Sequence, residues 1–591
     1  MNIVLTSIHI RKSPDAIPLA PALLKSYLLA QEFSRGFNIL IQEYYITNNL
    51  KEVTRAILKS KPNVVGISVY LWNREFYIEL VKEIKRVSPS TIIVAGGAEV
   101  RSGYIEFLEL GVDYTIQGEG EEAFSELIEA LSSDGLSPTS INGINDSSGR
   151  FIKNLNSLPS PILTKNIDLH KNDGFLWELS RGCPFSCDFC FESRGAKGVR
   201  YYNMERISKE LDAIIKANVA QVFVLDPTFN KDLPRAKNIL RLILKKNRGT
   251  HFHFEIRAEL LDSEISNLFA EVGASLQIGI QSAHDEVLKL VNRRLDKDKF
   301  SSKIALLNRC GAIFGLDLIY GLPGDNFSGF KNSMEYVLSM QPNHIDIFPL
   351  AVLPGTALWD NAKELKLNFT PKPPYTIISS PSYSLDDMKK SEKLKDACNY
   401  VYNRAKSTGW FKMVCGELKV SMTDFLIQFY ESTNFSNSSN DEVSTIKNFI
   451  KNVFKPKNIN LITDIINYHT SYSKALLGIK PKTNISKDML LKSRVSLTPN
   501  GTFIDFNYEI LTAFDNGCYT IKEIKRTFNP HRNSIITWFH TGGDVVQESY
   551  SKEIMNFLKS VDGNKRVLEI DKKIDNDFLI FAQESGLLLF S

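Results

Sequence analysis

Residues 1–150 alternate short apolar, β-branched runs with longer stretches in which apolar residues recur every three or four positions. The runs at 2–7, 38–43, 64–69, 91–95 and 114–117 predict strands, and the periodic stretches at 21–30, 50–59, 74–87 and 101–110 predict helices between them. Strict strand–helix alternation predicts an α/β layer, a doubly wound, Rossmann-like parallel sheet with helices on both faces. Such sheets take ligands at the carboxyl ends of their strands, near the switch in strand order. The third predicted strand ends in Ser68-Val69-Tyr70-Leu71-Trp72-Asn73, the fourth in Gly96-Gly97-Ala98-Glu99 and the fifth in Gly118-Glu119-Gly120-Glu121. Glycine pairs at such ends let a bulky ligand approach the backbone.

The alternation breaks at 151–174, where Asn, Ser, Lys and Pro dominate and a linker is expected. It resumes over 175–365 with strands predicted at 175–179, 221–225, 251–256, 275–280, 314–319 and 344–350, each followed by a helical stretch. Six such units predict a partial (β/α)6 barrel, whose working residues belong at the strand carboxyl ends. Residues 366–591 read as a mainly helical C-terminal domain. Helices are expected at 400–406 and 418–431, a Ser/Asn-rich loop at 432–441, and small helices and turns at 498–591.

At 591 residues the chain exceeds one hydrophobic core, and the length suggests roughly three to four domains. A net charge of +4 is nearly neutral for this length and gives no strong nucleic-acid signal. No secretory signal and no apolar run long enough for a membrane span is visible. Seven cysteines, four of them (Cys310, Cys398, Cys415, Cys518) scattered without pattern, fit a reducing cytoplasm better than a disulfide framework.

The other three sit together in Arg181-Gly182-Cys183-Pro184-Phe185-Ser186-Cys187-Asp188-Phe189-Cys190. A [4Fe-4S] cube offers four irons to thiolates. Three thiolates leave one iron open, and an open position marks a reactive metal centre. The alternatives are a chance grouping or a zinc knuckle short of its last ligand, although zinc favours paired CxxC or CxxC…HxxxH sets. The CxxxCxxC spacing resembles the radical S-adenosylmethionine (SAM) family. Leu276–Ser282, Val287–Arg293 and Leu316–Gly324 strengthen the likeness, because they resemble its branch containing elongator-type, coproporphyrinogen-dehydrogenase-type and cobalamin-dependent enzymes. The resemblance implies that Cys183, Cys187 and Cys190 hold the cluster and that Glu255, Gln281, Arg293 and Asp317 contact SAM. It also sets Thr228, in Asp226-Pro227-Thr228-Phe229, near the methionyl amino group and Phe189 near the adenine. Carboxylates suit a ribose diol and a guanidinium suits the methionyl carboxylate. Each residue taken singly also fits a structural place on the barrel rim.

The strand ends of the first domain resemble the cobalamin-binding domain that precedes many radical SAM cores. The resemblance points to Ser68, Tyr70, Gly96, Gly97, Gly118 and Glu119 as the cobalamin contacts. A flavodoxin-like domain that kept its turns and lost its ligand is the plainer alternative. The Asp-x-His-x-x-Gly motif of histidine-ligated cobalamin proteins is absent: the matching stretch reads Ser7-Ile8-His9-Ile10-Arg11-Lys12. His9 is therefore either a turn residue or an approach to cobalt, and the lower axial ligand stays open. The tail at 498–591 resembles a winged-helix peptide-recognition module, against the simpler reading of a helical cap.

What the resemblance implies is a cobalamin-dependent radical SAM methyltransferase acting on an unactivated carbon of a peptide, lipid or natural product. Its cofactors would be a [4Fe-4S] cluster, SAM and cobalamin, with a reducing partner such as flavodoxin or ferredoxin. The same cofactors would also serve cyclisation, rearrangement or oxidation. An RNA-modifying enzyme would call for a basic module or a second cysteine set, and neither is visible. A cofactor-binding sensor would need no SAM pocket.

Overall fold

The computed structural model describes residues 1–133, 137–192, 198–433, 441–477, 485–499 and 501–591. The chain forms two compact units: Met1–Ser333 with Asp346–Ser391, and Met334–Ile345 with Glu392–Ser591.

The first unit opens with β1 (Asn2–His9), α1 (Leu19–Leu29), β2 (Asn38–Tyr45), α2 (Leu50–Lys59), β3 (Val64–Ser68), α3 (Arg74–Val87), β4 (Ile92–Gly96), α4 (Ala98–Glu109), β5 (Tyr114–Thr115) and α5 (Gly120–Ser132). The strands order as β2-β1-β3-β4-β5, with every pair parallel. This flavodoxin-like order reverses direction between β1 and β3. Side chains alternate along each strand. Ile3 and Leu5 of β1 therefore pack with Leu28 of α1 and Phe124, Leu127 and Ile128 of α5. Val4 and Ile8 face the other way, onto Ile57 of α2 and Tyr77, Leu80 and Ile84 of α3. Asn49 starts α2 by accepting the Lys51 and Glu52 amides, a cap worth about 1 kcal/mol.

The stretch at 151–174, expected as a linker, is packed. Ile152, Leu155, Leu158, Ile162 and Ile167 are all buried. Beyond it come β6 (Gly174–Trp177), a two-residue pair β7 (Ser180–Arg181) and β8 (Arg200–Tyr201), α6 (Met204–Lys216), β9 (Gln221–Val224), α7 (Leu233–Lys246), β10 (His251–Ile256), α8 (Ser263–Val272), β11 (Ser275–Gln281), α9 (Asp285–Lys289), α10 (Lys297–Cys310), β12 (Ile313–Tyr320), α11 (Phe327–Ser339) and β13 (His344–Pro349). Six of these strands form one sheet in the order β13-β12-β11-β10-β9-β6. It is the partial barrel that the repeating pattern predicts. Asn203, Asp232, Asp262 and Asp296 cap α6, α7, α8 and α10 through their side chains. In β10 the even residues Phe252, Phe254 and Ile256 are buried outward, so His251, His253 and Glu255 point inward. The inward Leu225, Glu255 and Phe348 at the strand ends stay exposed, Leu225 by 41% and Phe348 by 53%. The barrel mouth is therefore open.

The second unit is helical up to Leu476, with helices at Phe411–Leu418, Met422–Ser432, Glu442–Phe449 and Ile459–Leu476. Most of the loop expected at 432–441 lies outside the described residues. The tail adds two three-stranded sheets. In one, Thr502–Phe506, Asn533–Phe539 and Val545–Glu548 run antiparallel, with helices Ile510–Asp515 and Ile521–Thr527 between the first two strands. The tail core gathers around Trp538, Val495 and Leu588.

Candidate functional site

A cleft of about 920 Å³ opens at the carboxyl ends of β1, β3, β4 and β5, large enough for a bulky cofactor. Ser68, Tyr70, Gly96, Gly97, Gly118 and Glu119 all line it. Its opposite wall belongs to the barrel: Ser180, Arg181 and Gly182 at the start of the cysteine loop, Phe191 and Glu192 just after it, and Leu225 and Pro227 at the end of β9.

Asn73 locks the β1 and β3 ends together. It is 1% exposed, accepts the Tyr70 amide at 2.8 Å, and donates to the Ile8 and Ser68 carbonyls at 3.1 and 3.2 Å. Tyr70 and Trp72 stack at 4.7 Å beside it, with Trp72 46% exposed at the cleft. Two of the predicted glycines serve the chain's own backbone. Gly97 has φ +107°, and a Cβ there would lie 2.4 Å from the Val69 carbonyl oxygen. Gly118 has φ +84°, with a Cβ 2.3 Å from the Arg150 carbonyl oxygen. Gly96 is different: a Cβ would meet nothing closer than Ile116 at 4.0 Å, so the space beside it is open for a ligand.

Glu119 lines the cleft, but its carboxylate is engaged inside the protein. Arg200 donates to both its oxygens, at 2.8 and 2.5 Å, and the Ile152 amide donates at 2.8 Å. Burial would raise its pKa; the Arg200 hydrogen bonds and the nearby Arg181 charge outweigh it and hold the carboxyl below its usual range. His9 also lines the cleft, with Nε2 3.4 Å from Glu43 Oε2.

Across the cleft, Cys183, Cys187 and Cys190 share one loop, and no disulfide joins any of the seven cysteines. The loop is braced from the segment after α9. Asp188 N donates to Val291 O at 3.1 Å, and Asn292 Nδ2 donates to Ser186 O at 2.8 Å. Cys187 is buried with Arg293 Nη1 3.9 Å from its sulfur, and Cys183 Sγ lies 3.9 Å from Thr228 Oγ1. Among the described residues no group of three His, Cys, Asp or Glu side chains is drawn into a preformed ion site. The thiols share a loop without closing a cage. The donor set, three thiols on eight residues beside a guanidinium, fits an iron–sulfur cube.

The predicted SAM residues gather at the barrel mouth. Arg293 is 9% exposed, and its pKa is lowered by burial and by the neighbouring Arg257. Arg257 stacks over Phe185 at 4.0 Å, and its Nε makes no hydrogen bond. Arg257 Nε lies 4.0 Å from Glu259 Oε2, and two neighbouring guanidiniums suit a carboxylate. Gln281 ends β11 at φ +72°, where the β11–β12 register shifts. Strained backbone of this kind clusters at active sites and ligand clamps. Asp317 is bridged to Asp346 by the Gln277 amide, which donates to both. Burial, then Asp346, pushes the Asp317 carboxyl up to about 7, and Glu255 adds to this. Glu255 itself is raised by burial and by Glu192. Phe189 lies half-exposed in the turn that closes the cysteine loop.

Asp226 has a different role from its neighbour Thr228. It is 3% exposed and accepts the Leu179 and Ser180 amides at 3.0 and 2.9 Å, bracing the strand that leads into the cysteine loop. Burial raises it to about 7. Asn73, Arg257, Gln277, Asp346, Glu192 and Arg181 were not predicted from the sequence. Their long-range partners, such as Ile8 for Asn73 and Glu121 for Arg181, leave no local spacing to read.

The Radical SAM superfamily matches residues 177–337, and the B12 binding domain matches residues 15–128. The chain is 26% identical over 376 residues to the cobalamin-dependent radical SAM methyltransferase TokK of Streptomyces tokunonensis, covering 58% of this chain and 54% of that protein. It thus spans about half the length of that relative. Among solved structures it is similar to the radical SAM methyltransferase TsrM from Kitasatospora setae with cobalamin and [4Fe-4S] cluster bound, at TM-score 0.51 and 17% identity over 63% of this chain and 78% of that one. It is also similar to the apo form of the cobalamin-dependent SAM radical enzyme OxsB, at TM-score 0.53 and 15% identity over 79% and 78%.

Proposed function

On the premise that the chain belongs to the cobalamin-dependent radical SAM family, we propose that it is a methyltransferase acting on an unactivated carbon of a peptide, lipid or natural product. A radical SAM domain implies a [4Fe-4S] cluster and SAM, and a B12-binding domain implies cobalamin. The observation that carries the reading is the shared cleft. The carboxyl ends of β3, β4 and β5 form one wall, and the start of the cysteine loop forms the other.

Bound there, a [4Fe-4S] cluster would supply electron-transfer chemistry for SAM and cobalamin would supply methyl-carrying chemistry. The chain's own part is placement. Cys183, Cys187 and Cys190 hold the cluster. Arg293, joined by Arg257, takes the methionyl carboxylate, and Thr228 stands near the amino group. Glu255 and Asp317 accept from the ribose diol, Gln281 contacts the nucleoside, and Phe189 covers the adenine. The open side of Gly96, together with Ser68, Tyr70, Gly97, Gly118 and the backbone at Glu119, cradles cobalamin.

Radical SAM enzymes need a reductant, which here would be a flavodoxin or ferredoxin in the cytoplasm. No described helix is long and apolar enough to cross a membrane. The test is anaerobic reconstitution followed by incubation with methyl-labelled SAM and dithionite. The expected result is corrinoid retained by absorption, with both 5′-deoxyadenosine and S-adenosylhomocysteine formed. 5′-Deoxyadenosine without S-adenosylhomocysteine would replace methyl transfer by a cyclisation or oxidation. Neither product would end the enzymatic reading.

A further inference from the structure

Arg181 stands two residues before Cys183, at the end of β7, yet its side chain leaves the barrel. It is 9% exposed. Nη2 donates to Glu121 Oε1 at 2.6 Å, Nε donates to Glu178 Oε1 at 2.9 Å, and Nη1 lies 3.7 Å from Glu119 Oε2. Glu119 precedes α5 as its N-cap and Glu121 sits in its first turn, and both line the cleft. Arg200, opposite Arg181 in the β7–β8 pair, grips Glu119 by both oxygens. Tyr202 Oη donates to the remaining Glu178 oxygen at 2.9 Å.

Burying two guanidiniums and three carboxylates is a poor way to gain stability. Apolar residues of similar volume often do as well or better, and the well-attested use of such sets is to fix register. Here the set joins two things that must be held in register. One end is the wall of the cleft. The other is the backbone two peptide units ahead of the first cluster thiol, too short a tether to absorb a shift, since consecutive Cα atoms are about 3.8 Å apart. A fork also fixes direction as well as distance, which a lysine ammonium does not.

We propose that Arg181 is a positioning residue: by gripping Glu119 and Glu121 of the cleft wall, it fixes the cluster loop relative to cobalamin and so sets the separation of the two metal centres. The proposal rests on the reading of the cleft as the seat of cobalamin.

The test uses the full chain loaded anaerobically with cluster and cobalamin, reduced so that both the cob(II)alamin and the cluster are paramagnetic. Their dipolar interaction shortens the relaxation of the cob(II)alamin resonance and reports their separation. Arg181→Met, Arg181→Lys and Glu121→Gln are compared with the parent at equal iron and corrinoid content and with melting temperatures recorded. The expected result is one well-defined relaxation in the parent, and a slower or distributed relaxation in Arg181→Met and Glu121→Gln, with Arg181→Lys between. Parent-like relaxation in loaded Arg181→Met and Glu121→Gln overturns the proposal. If Arg181→Met does not fold, Glu121→Gln decides, because it leaves the arginine two carboxylates. A parent that retains no corrinoid instead overturns the cobalamin reading, a separate and recognisable failure.

Discussion

Gly96 and Gly97 are neighbours in sequence and should respond in opposite ways to the same added methyl group. At Gly97 the backbone sits at φ +107°, a conformation that costs a side-chain-bearing residue about 1–3 kcal/mol. The new Cβ would also fall 2.4 Å from the Val69 carbonyl oxygen and 2.9 Å from its nitrogen. That backbone is pinned by hydrogen bonds to Gly96 O at 2.7 Å and from Glu99 N at 3.3 Å, so it cannot step aside cheaply. Adding an overpacking cost of similar size, Gly97→Ala should lose roughly 3 kcal/mol or more. At Gly96 the φ is not left-handed and the nearest atoms are 4.0 Å away. Gly96→Ala should then leave stability unchanged or raise it by about 0.4–1 kcal/mol, because the unfolded chain loses freedom. The price appears elsewhere: its methyl occupies the open side of the cleft, and corrinoid retention should fall. Urea unfolding of the apo-protein and corrinoid absorption after reconstitution measure the two effects. A Gly97→Ala protein as stable as the parent would refute the backbone argument. A Gly96→Ala protein that keeps its full complement of corrinoid would refute the placement of the ligand at β4.

Cys187→Ala should remove cluster-dependent SAM cleavage, so 5′-deoxyadenosine formed by the reconstituted variant at the parent rate would contradict the ligand assignment. Asn73→Ala should cost about 1–2 kcal/mol in urea unfolding, since part-buried backbone groups at Tyr70 and Ser68 lose their partners while Ile8 O keeps the Trp72 indole at 3.2 Å. Asp317, raised to about 7 in the fold, holds a proton there that the unfolded chain releases near pH 4. Its contribution is therefore fully present below about pH 4 and is lost as the pH rises to about 7. Asp317→Asn should flatten the fall in apo-protein stability between pH 5 and 7.5, leaving the slope from Asp226, Asp325 and Asp464, which are raised in the same direction. An unchanged slope would show that Asp317 is ionised throughout.

The strands of the first sheet and of the barrel were legible because each is a short apolar run bounded by turn residues, and the structure moves their ends by only a residue or two; the strands of the two tail sheets were not, since 498–591 reads as small helices and turns. β2 runs on to Tyr45, and β5 stops at Thr115. All six expected cobalamin contacts line one cleft because strand ends of a parallel sheet converge by topology. The stretch at 151–174 misled through its composition. Its polar residues hide a spaced apolar series, Ile152, Leu155, Leu158 and Ile162, that packs down. The glycines were read for a ligand, whereas Gly97 and Gly118 answer to the chain's own carbonyls. Pairings such as Arg181 with Glu121 and Glu99 with Tyr375, the latter 2.6 Å apart across 276 positions, follow no periodicity and become visible only in three dimensions.

The buried charge set around Arg181 also constrains how this architecture can be recombined. Its members come from both halves of the first unit, Glu119 and Glu121 before the strap at 151–174 and Glu178, Arg181 and Arg200 after it. A chimera that exchanged the N-terminal layer alone would separate Arg181 and Arg200 from Glu119 and Glu121, leaving Glu178 as the one carboxylate of the set still beside Arg181. Modular shuffling of this chain therefore has to carry the acidic turn and its basic hairpin together as a single inherited block.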